Sequence, residues 1–135
     1  MKYLIPMVLT IISIVTLLTA PGQTEEDPFA TLDCKVANTQ LEMNRCAYLS
    51  LQAADQELNQ VYRQLRDALK QSKQDVPDRQ LTNAQLAWIK YRDLDCKFSG
   101  DRFKGGSIAP MMYNSCKETL TKQRTAVLKS YLEFN

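Results

Sequence analysis

Apolar residues between positions 47 and 68 recur at alternating steps of four and three, a spacing that places them on one face of an α-helix. They are Ala47, Leu51, Ala54, Leu58, Val61, Leu65 and Ala68. Thr39 and Glu42, just before this stripe, match the capping box that satisfies free amide groups at a helix start. The pattern predicts a helix of about 30 residues. Pro77 is expected to end it and to start the next helix.

Two further segments that lack proline and glycine also have a helical pattern. The first runs from about Asp78 to Lys97, and its predicted inward residues are Leu81, Ala84, Trp88, Ile89 and Cys96. The second is predicted to begin with a capping box formed by Ser115 and Glu118. Its predicted inward residues are Leu120, Val127, Leu128, Tyr131 and Leu132. The sequence therefore predicts an all-α fold, a three-helix antiparallel bundle with the long first helix packed against the other two.

The N-terminal residues have the layout of a secretory signal. Lys2 precedes an apolar run from Leu4 to Leu18, and small residues follow near Ala20. A membrane-spanning helix needs about 20 apolar residues, whereas this run is shorter and contains Pro6. We expect a signal peptide at residues 1–22, a flexible lead-in at 23–33 and a helical domain at 34–135. Cleavage of the signal is favoured, and a retained anchor is the alternative. The mature protein is then periplasmic or secreted and has no membrane span.

The composition argues against several classes of function. The chain has 17 basic and 15 acidic residues, so its charge gives no electrostatic reason to expect a nucleic-acid partner. It contains no histidine. It also shows neither a metal-ligand cluster nor a glycine motif that cradles phosphate. We therefore expect no metal, no cofactor and no enzymatic activity.

The four cysteines indicate disulfides in an exported protein. Four cysteines allow three pairings, and the sequence alone does not choose among them. Geometry favours Cys96 with Cys116, because these residues lie near adjoining ends of antiparallel helices. Cys34 precedes the first helix, and a folded-back lead-in brings it to Cys46. The favoured pairings are thus Cys34–Cys46 and Cys96–Cys116.

Three groups of residues resemble one known family. The first group is Thr39, Gln40, Glu42, Met43, Asn44, Cys46, Ala47, Ala54, Asp55, Leu58, Asn59 and Tyr62. The second is Ala84, Gln85, Trp88, Ile89, Tyr91, Arg92, Asp93 and Cys96. The third is Gly105, Gly106, Ser107, Cys116, Thr121, Arg124 and Leu128. Together they resemble the lysozyme inhibitor LprI-like N-terminal domain family. Many of its members are exported bacterial proteins without an assigned activity, and its name comes from lysozyme inhibition by a lipoprotein member. This chain lacks that member's lipid-attachment cysteine.

Polar residues on the predicted helices form a candidate network. They are Asp55, Asn59, Tyr62, Arg92, Asp93 and Arg124. The two arginines lie among apolar neighbours on different helices, so Asp55 and Asp93 are their expected partners. A binding cluster is one interpretation. We favour an inter-helix network that sets helix register, because buried charges persist only when they are paired.

The segment 97–115 is the candidate recognition loop. It holds three of the four glycines, and a Cys96–Cys116 disulfide would hold both of its ends. Its candidate binding residues are Arg102, Lys104, Gly105, Gly106 and Ser107. Loops on a rigid scaffold often carry recognition, but a glycine pair is equally consistent with a simple turn.

The leading functional hypothesis is an envelope protein-binding module that inhibits a lysozyme by inserting this loop into the active-site cleft. Lysozyme clefts use two carboxylates, with which Arg102 or Lys104 can pair. The alternative is a structural or stress-related periplasmic domain without inhibitory activity. In that case the polar residues only hold the bundle together.

Overall fold

A computed structural model describes residues 29–133 of the chain, so the predicted signal peptide and most of the lead-in lie outside the described residues. Three helices form the described part: α1 (Gln40–Gln71), α2 (Asp75–Asp101) and α3 (Ala109–Glu133). Their arrangement confirms the predicted all-α, three-helix bundle. No helix in residues 29–133 is long and apolar enough to cross a membrane.

Contacts between the helices define their directions. Along α1, contacts with α2 run in opposite order, from Arg66 with Asp78 to Asp55 with Arg92. Contacts between α1 and α3 run in the same order, because Asn44 meets the backbone of Ser107 whereas Glu57 meets Lys129. Neighbours in sequence are therefore antiparallel, and α3 returns parallel to α1.

Helix α1 begins and buries its apolar stripe as predicted. The Thr39 hydroxyl accepts a hydrogen bond from the Glu42 backbone N–H (3.2 Å), and the Glu42 carboxylate accepts one from the Thr39 backbone N–H (3.0 Å). The Glu42 carboxylate also accepts a hydrogen bond from the Asn38 backbone N–H (3.1 Å), and the bonds from these two backbone groups lower the pKa of Glu42. Six of the seven predicted stripe residues are buried, but in the last turn Leu69 is buried instead of Ala68.

The prediction that Pro77 ends α1 is wrong. The helix ends at Gln71, and the chain turns through residues 72–74, where Lys73 has a φ of 55°. The backbone N–H of Gln74 donates to the carbonyl of Leu69 (2.8 Å), which closes the last turn of α1. Pro77 lies in the first turn of α2, where its missing N–H breaks no helical hydrogen bond.

The inward face of α2 differs from the prediction. Leu81 and Cys96 are buried as expected, and Trp88 packs, half-buried, against the core. Ala84 and Ile89 are exposed. Their places on the inward face are taken by Gln85, Arg92 and Gly100. The two polar side chains can be buried because each has a hydrogen-bond partner on another helix. Arg92 donates to Asp55 of α1, and Gln85 accepts a hydrogen bond from Arg124 of α3.

Helix α3 begins earlier than predicted. Its first residue is Ala109, so Ser115 and Glu118 lie inside the helix and form no cap. Of the predicted inward residues, Leu128 is buried and Leu120 and Leu132 are half-buried, whereas Val127 and Tyr131 are exposed. The buried positions at the centre of α3 are Thr121 and Thr125. These small side chains let α3 lie close along α1, and the Thr125 hydroxyl donates to the Thr121 carbonyl (2.9 Å).

Six buried residues form the core cluster between the helices. They are Leu58, Val61, Leu65, Leu69, Leu81 and Leu128. Each such side chain contributes about 1.5–3 kcal/mol on burial, so this cluster is the main stabilising feature of the bundle.

Both favoured disulfide pairings are confirmed. Cys34–Cys46 holds the segment before α1 against its second turn, and Cys96–Cys116 joins α2 to α3. No described cysteine is free.

Candidate functional site

The candidate loop is shorter than the predicted segment 97–115. Helix α2 continues to Asp101 and α3 begins at Ala109, so only residues 102–108 connect them. The Cys96–Cys116 disulfide lies within the two helices and does not close the loop at its ends. The disulfide therefore stabilises the packing of α2 against α3, and the short segment between them connects the two helices. We call residues 102–108 the α2–α3 loop.

The two glycines of the α2–α3 loop allow the backbone to turn tightly. Gly105 has a φ of 87°, a conformation that side chains with a Cβ rarely adopt. The Gly106 N–H donates to the Phe103 carbonyl (2.9 Å), and a Cβ on Gly106 would lie 3.2 Å from that oxygen. At the end of the loop, the Asn44 side chain donates to the Ser107 carbonyl (2.9 Å). The loop is thus tied to the start of α1.

The α2–α3 loop presents an exposed basic surface. Arg102, Lys104 and the segment 105–107 are all exposed. Asp101 is the acidic residue directly before the loop, and it accepts a hydrogen bond from Lys97 (2.5 Å). This bond lowers the pKa of Asp101, and the charge of Lys104 acts in the same direction. Asp101 therefore stays ionised and paired, while Arg102 and Lys104 face solvent.

A groove lies beside the loop, between the end of α2 and the start of α3. It has a volume of about 400 Å³, and its lining includes Gly100, Lys104, Gly105 and Tyr113. A Cβ on Gly100 would lie 3.2 Å from the Cβ of Tyr113, so the glycine permits the close approach of the two helices here. The groove places an aromatic ring and a cation at the same end of the bundle.

Sequence reasoning missed an exposed apolar stripe on α2. Tyr91, Leu94 and Phe98 are 55%, 58% and 72% exposed. They are spaced by three and four residues, so they share one helix face, away from buried Arg92 and Cys96. Arg102 follows Phe98 by four residues and extends this face into the loop. We call Tyr91, Leu94 and Phe98 the α2 stripe; their helical spacing was visible in the sequence, but which face of α2 turned inward was not.

The polar network is centred on Arg92, which is buried. Its Nη1 donates to Asp55 Oδ1 (2.8 Å) and to Thr121 Oγ1 (3.1 Å), and its Nε donates to Asp93 Oδ1 (3.0 Å). Its guanidinium also lies over the Trp88 ring, 5.1 Å from the centroid. Asp93 in turn pairs with Lys117 at 3.3 Å. The buried charge of Arg92 is thus satisfied by partners on the bundle's own helices, and this geometry supports a role in helix register.

The remaining predicted network residues lie elsewhere. The Tyr62 hydroxyl donates to Thr82 (3.2 Å). Arg124 does not pair with an aspartate, because its Nε donates to Gln85 Oε1 (3.0 Å). Asn59 is exposed, and no side-chain hydrogen bond joins it to another described residue. The six residues therefore do not form a single cluster.

One group of residues in the described chain is close enough to hold a metal ion: Asp95, Cys96 and Cys116. The two cysteine sulfurs are joined in a disulfide, so neither is available as a thiolate ligand. The arrangement does not fit a metal centre.

Three helices, two disulfides, an internally satisfied polar network and an exposed basic end together define a small, cross-linked helical module. Comparison with known protein families identifies the family of this module. Residues 33–128 match the model of the family described as lysozyme inhibitor LprI, and the chain belongs to that family. The resemblance deduced from the sequence is thereby confirmed.

A relative with similar sequence occurs in Rhizobium meliloti (strain 1021). This uncharacterised protein is 36% identical, in an alignment that covers 90% of the present chain and 92% of the relative. No solved structure matches the chain.

Proposed function

We propose that this protein is an exported binding module that inhibits a lysozyme by placing the α2–α3 loop in the active-site cleft. Membership of the lysozyme inhibitor family supports the target class. The single observation that carries the proposal is the α2 stripe, a run of exposed apolar side chains that leads into the basic loop. Large exposed apolar residues grouped on one face are typical of protein-binding surfaces.

The chemistry of the two regions is complementary to a lysozyme. The catalytic cleft contains two carboxylates, and an entering cation pairs with them and blocks the sugar site. Arg102 and Lys104 are the exposed cations of the loop. Tyr91, Leu94 and Phe98 then pack against the rim of the cleft, where apolar burial slows dissociation.

Inhibition is tested by titrating lysozymes of different classes with the purified, oxidised protein. We expect stoichiometric loss of lytic activity for at least one class. The Arg102→Gln/Lys104→Gln variant and the Leu94→Ser/Phe98→Ser variant should each weaken inhibition about tenfold or more, the effect of removing an interface hot spot. Replacing Gly105, Gly106 and Ser107 tests the shape of the loop.

Matched controls come from α1 and from the N-terminal end of α2. Arg63→Gln and Arg79→Gln remove exposed charges far from the loop, and Val76→Ser removes an exposed apolar side chain at the opposite end of α2. These variants should inhibit as well as the wild type. Full lysozyme activity at several-fold molar excess of the protein, for every class tested, would eliminate the inhibitor hypothesis.

The polar network favours a second candidate function. Because Arg92 and its partners are satisfied internally, the bundle is suited to a structural or stress-related periplasmic role without a target. Binding to peptidoglycan, or no stoichiometric partner in an envelope pulldown, would support this alternative.

The proposed location is the periplasm or the exterior. Two disulfides are typical of oxidising compartments, and the family supports export. Residues 1–22 are proposed as the signal peptide; N-terminal sequencing of the exported protein should find that the mature chain starts near position 23.

A further inference from the structure

A cleft opens at the opposite end of the bundle from the α2–α3 loop. It has a volume of about 360 Å³ and lies where all three helices meet near the α1–α2 turn. Leu65, Leu69 and Leu81 from the buried core form its apolar part. Pro77 and Ala84 extend this apolar surface along α2. The volume is at the lower end of the range typical of small-molecule sites, about 300–1,000 Å³.

Arg124 is the charged residue that lines this cleft. It is half-buried, and its Nε donates to the side chain of Gln85, which is only 5% exposed. Since Gln85 is held in the bundle, it orients the guanidinium. Among residues 29–133, no acceptor bonds the two terminal nitrogens of Arg124, and no acidic residue lines the cleft.

Two arginines on the neighbouring helices have their charge neutralised by an aspartate. Arg66 makes two hydrogen bonds to Asp78, and Arg92 pairs with Asp55 and Asp93. Arg124 instead faces a neutral amide and an apolar floor. A cation without a counter-charge beside an apolar surface is complementary to a ligand that carries both an oxyanion and a hydrocarbon part.

We propose that this cleft binds an amphipathic carboxylate, a small molecule with one carboxylate head and a single hydrocarbon chain. The head accepts hydrogen bonds from the terminal nitrogens of Arg124, whose planar guanidinium matches a carboxylate in geometry. The hydrocarbon chain lies along Leu65, Leu69 and Leu81. Gln80 also lines the cleft and provides a further polar contact. This site is separate from the loop proposed to contact lysozyme.

Decanoate is a suitable probe, and binding to the oxidised chain is measured by NMR titration and calorimetry. We expect saturable binding, with shift changes at Leu69, Leu81 and Arg124. Decanol lacks the charge and acetate lacks the chain, so each should bind at least tenfold more weakly. Equal binding of decanoate and decanol would overturn the proposed role of Arg124.

Two variants separate binding from folding. Arg124→Gln should reduce decanoate affinity about tenfold or more, whereas the matched control Arg63→Gln, an exposed charge outside the cleft, should leave it unchanged. Gln80→Glu at an exposed position should supply an internal carboxylate for Arg124 and compete with the ligand while the helical signal stays intact. Absence of saturable binding, or wild-type affinity in both cleft variants, would refute the site.

Discussion

At the scale of single residues, burial of Arg92 is the most consequential feature of the bundle. A buried guanidinium is tolerated only when its charge and donors are satisfied, and here Asp55, Asp93 and Thr121 do so. The sequence predicted Arg92 and both aspartates as members of this network but not Thr121. A threonine gives no periodic signal of its own, and its role appears only when α3 is placed against α1.

Asp55→Asn should destabilise the bundle by about 1–2 kcal/mol, because it removes a charged acceptor from buried Arg92. The effect is moderated because the Asp55 side chain is 37% exposed and Asp93 still pairs with Arg92. Thermal or urea unfolding measures it. The control Glu57→Gln breaks an exposed pair with Lys129 and should cost less than about 0.5 kcal/mol. Equal losses in the two variants would contradict a special role for the network.

The pair Arg66–Asp78 should make stability depend on pH. Two hydrogen bonds from Arg66 (2.6 and 2.9 Å) lower the pKa of Asp78 in the folded protein, against a smaller opposing effect of desolvation. The ionised form therefore stabilises the fold above the ordinary aspartate pKa of about 4, and this contribution is lost as the pH falls through the lowered value.

Melting temperatures of the wild type and Asp78→Asn, measured from pH 7 to pH 2, check this expectation. The wild type should melt higher at pH 7, and the difference should shrink below about pH 4. Arg66→Gln should flatten the same pH dependence. A difference that stays constant across the acid range would show that Asp78 does not act through its charge.

At the scale of elements, local signals predicted α1 better than α2 or α3. The start of α1 depends on Thr39 and Glu42, which are three residues apart, and its stripe is apolar. The start of α3 has no such signal: the motif at Ser115 and Glu118 matches a cap but lies inside a helix that begins at Ala109. A sequence that matches a capping motif can also lie within a continuous helix. Here the contacts of α3 with α1 favour the continuous helix.

The two disulfides stabilise different elements, so their loss should have different structural effects. Loop-entropy estimates give about 3 kcal/mol for each bridge. The Cys96→Ala/Cys116→Ala variant should lose this amount and loosen the α2–α3 pair, since Cys96 is fully buried. The Cys34→Ala/Cys46→Ala variant should lose a similar amount while the three helices keep their packing. Unfolding curves and hydrogen exchange distinguish them; faster exchange in α2 and α3 of the second variant would contradict this assignment.

At the scale of the whole molecule, the bundle separates two surfaces. Helix α2 has 27 residues and is about 40 Å long. The basic loop follows its C-terminal end, whereas the cleft beside Arg124 lies near its N-terminal half. The Arg92 network lies between them, and part of the core cluster lines the cleft itself. The proposed lysozyme contact and the proposed ligand site are therefore separate surfaces of the bundle.

The sequence by itself determined the number of helices, the start of α1 and the presence of disulfides, because caps, periodicity and cysteine content can be read locally. The family followed from three groups of residues that resemble it. Only the tertiary structure decided which face of α2 is buried. Both faces of α2 carry apolar residues, and Gln85 and Arg92 become inward residues only when α1 and α3 supply their partners. The same packing shortened the loop to residues 102–108 and exposed the α2 stripe, since burial depends on all three helices together.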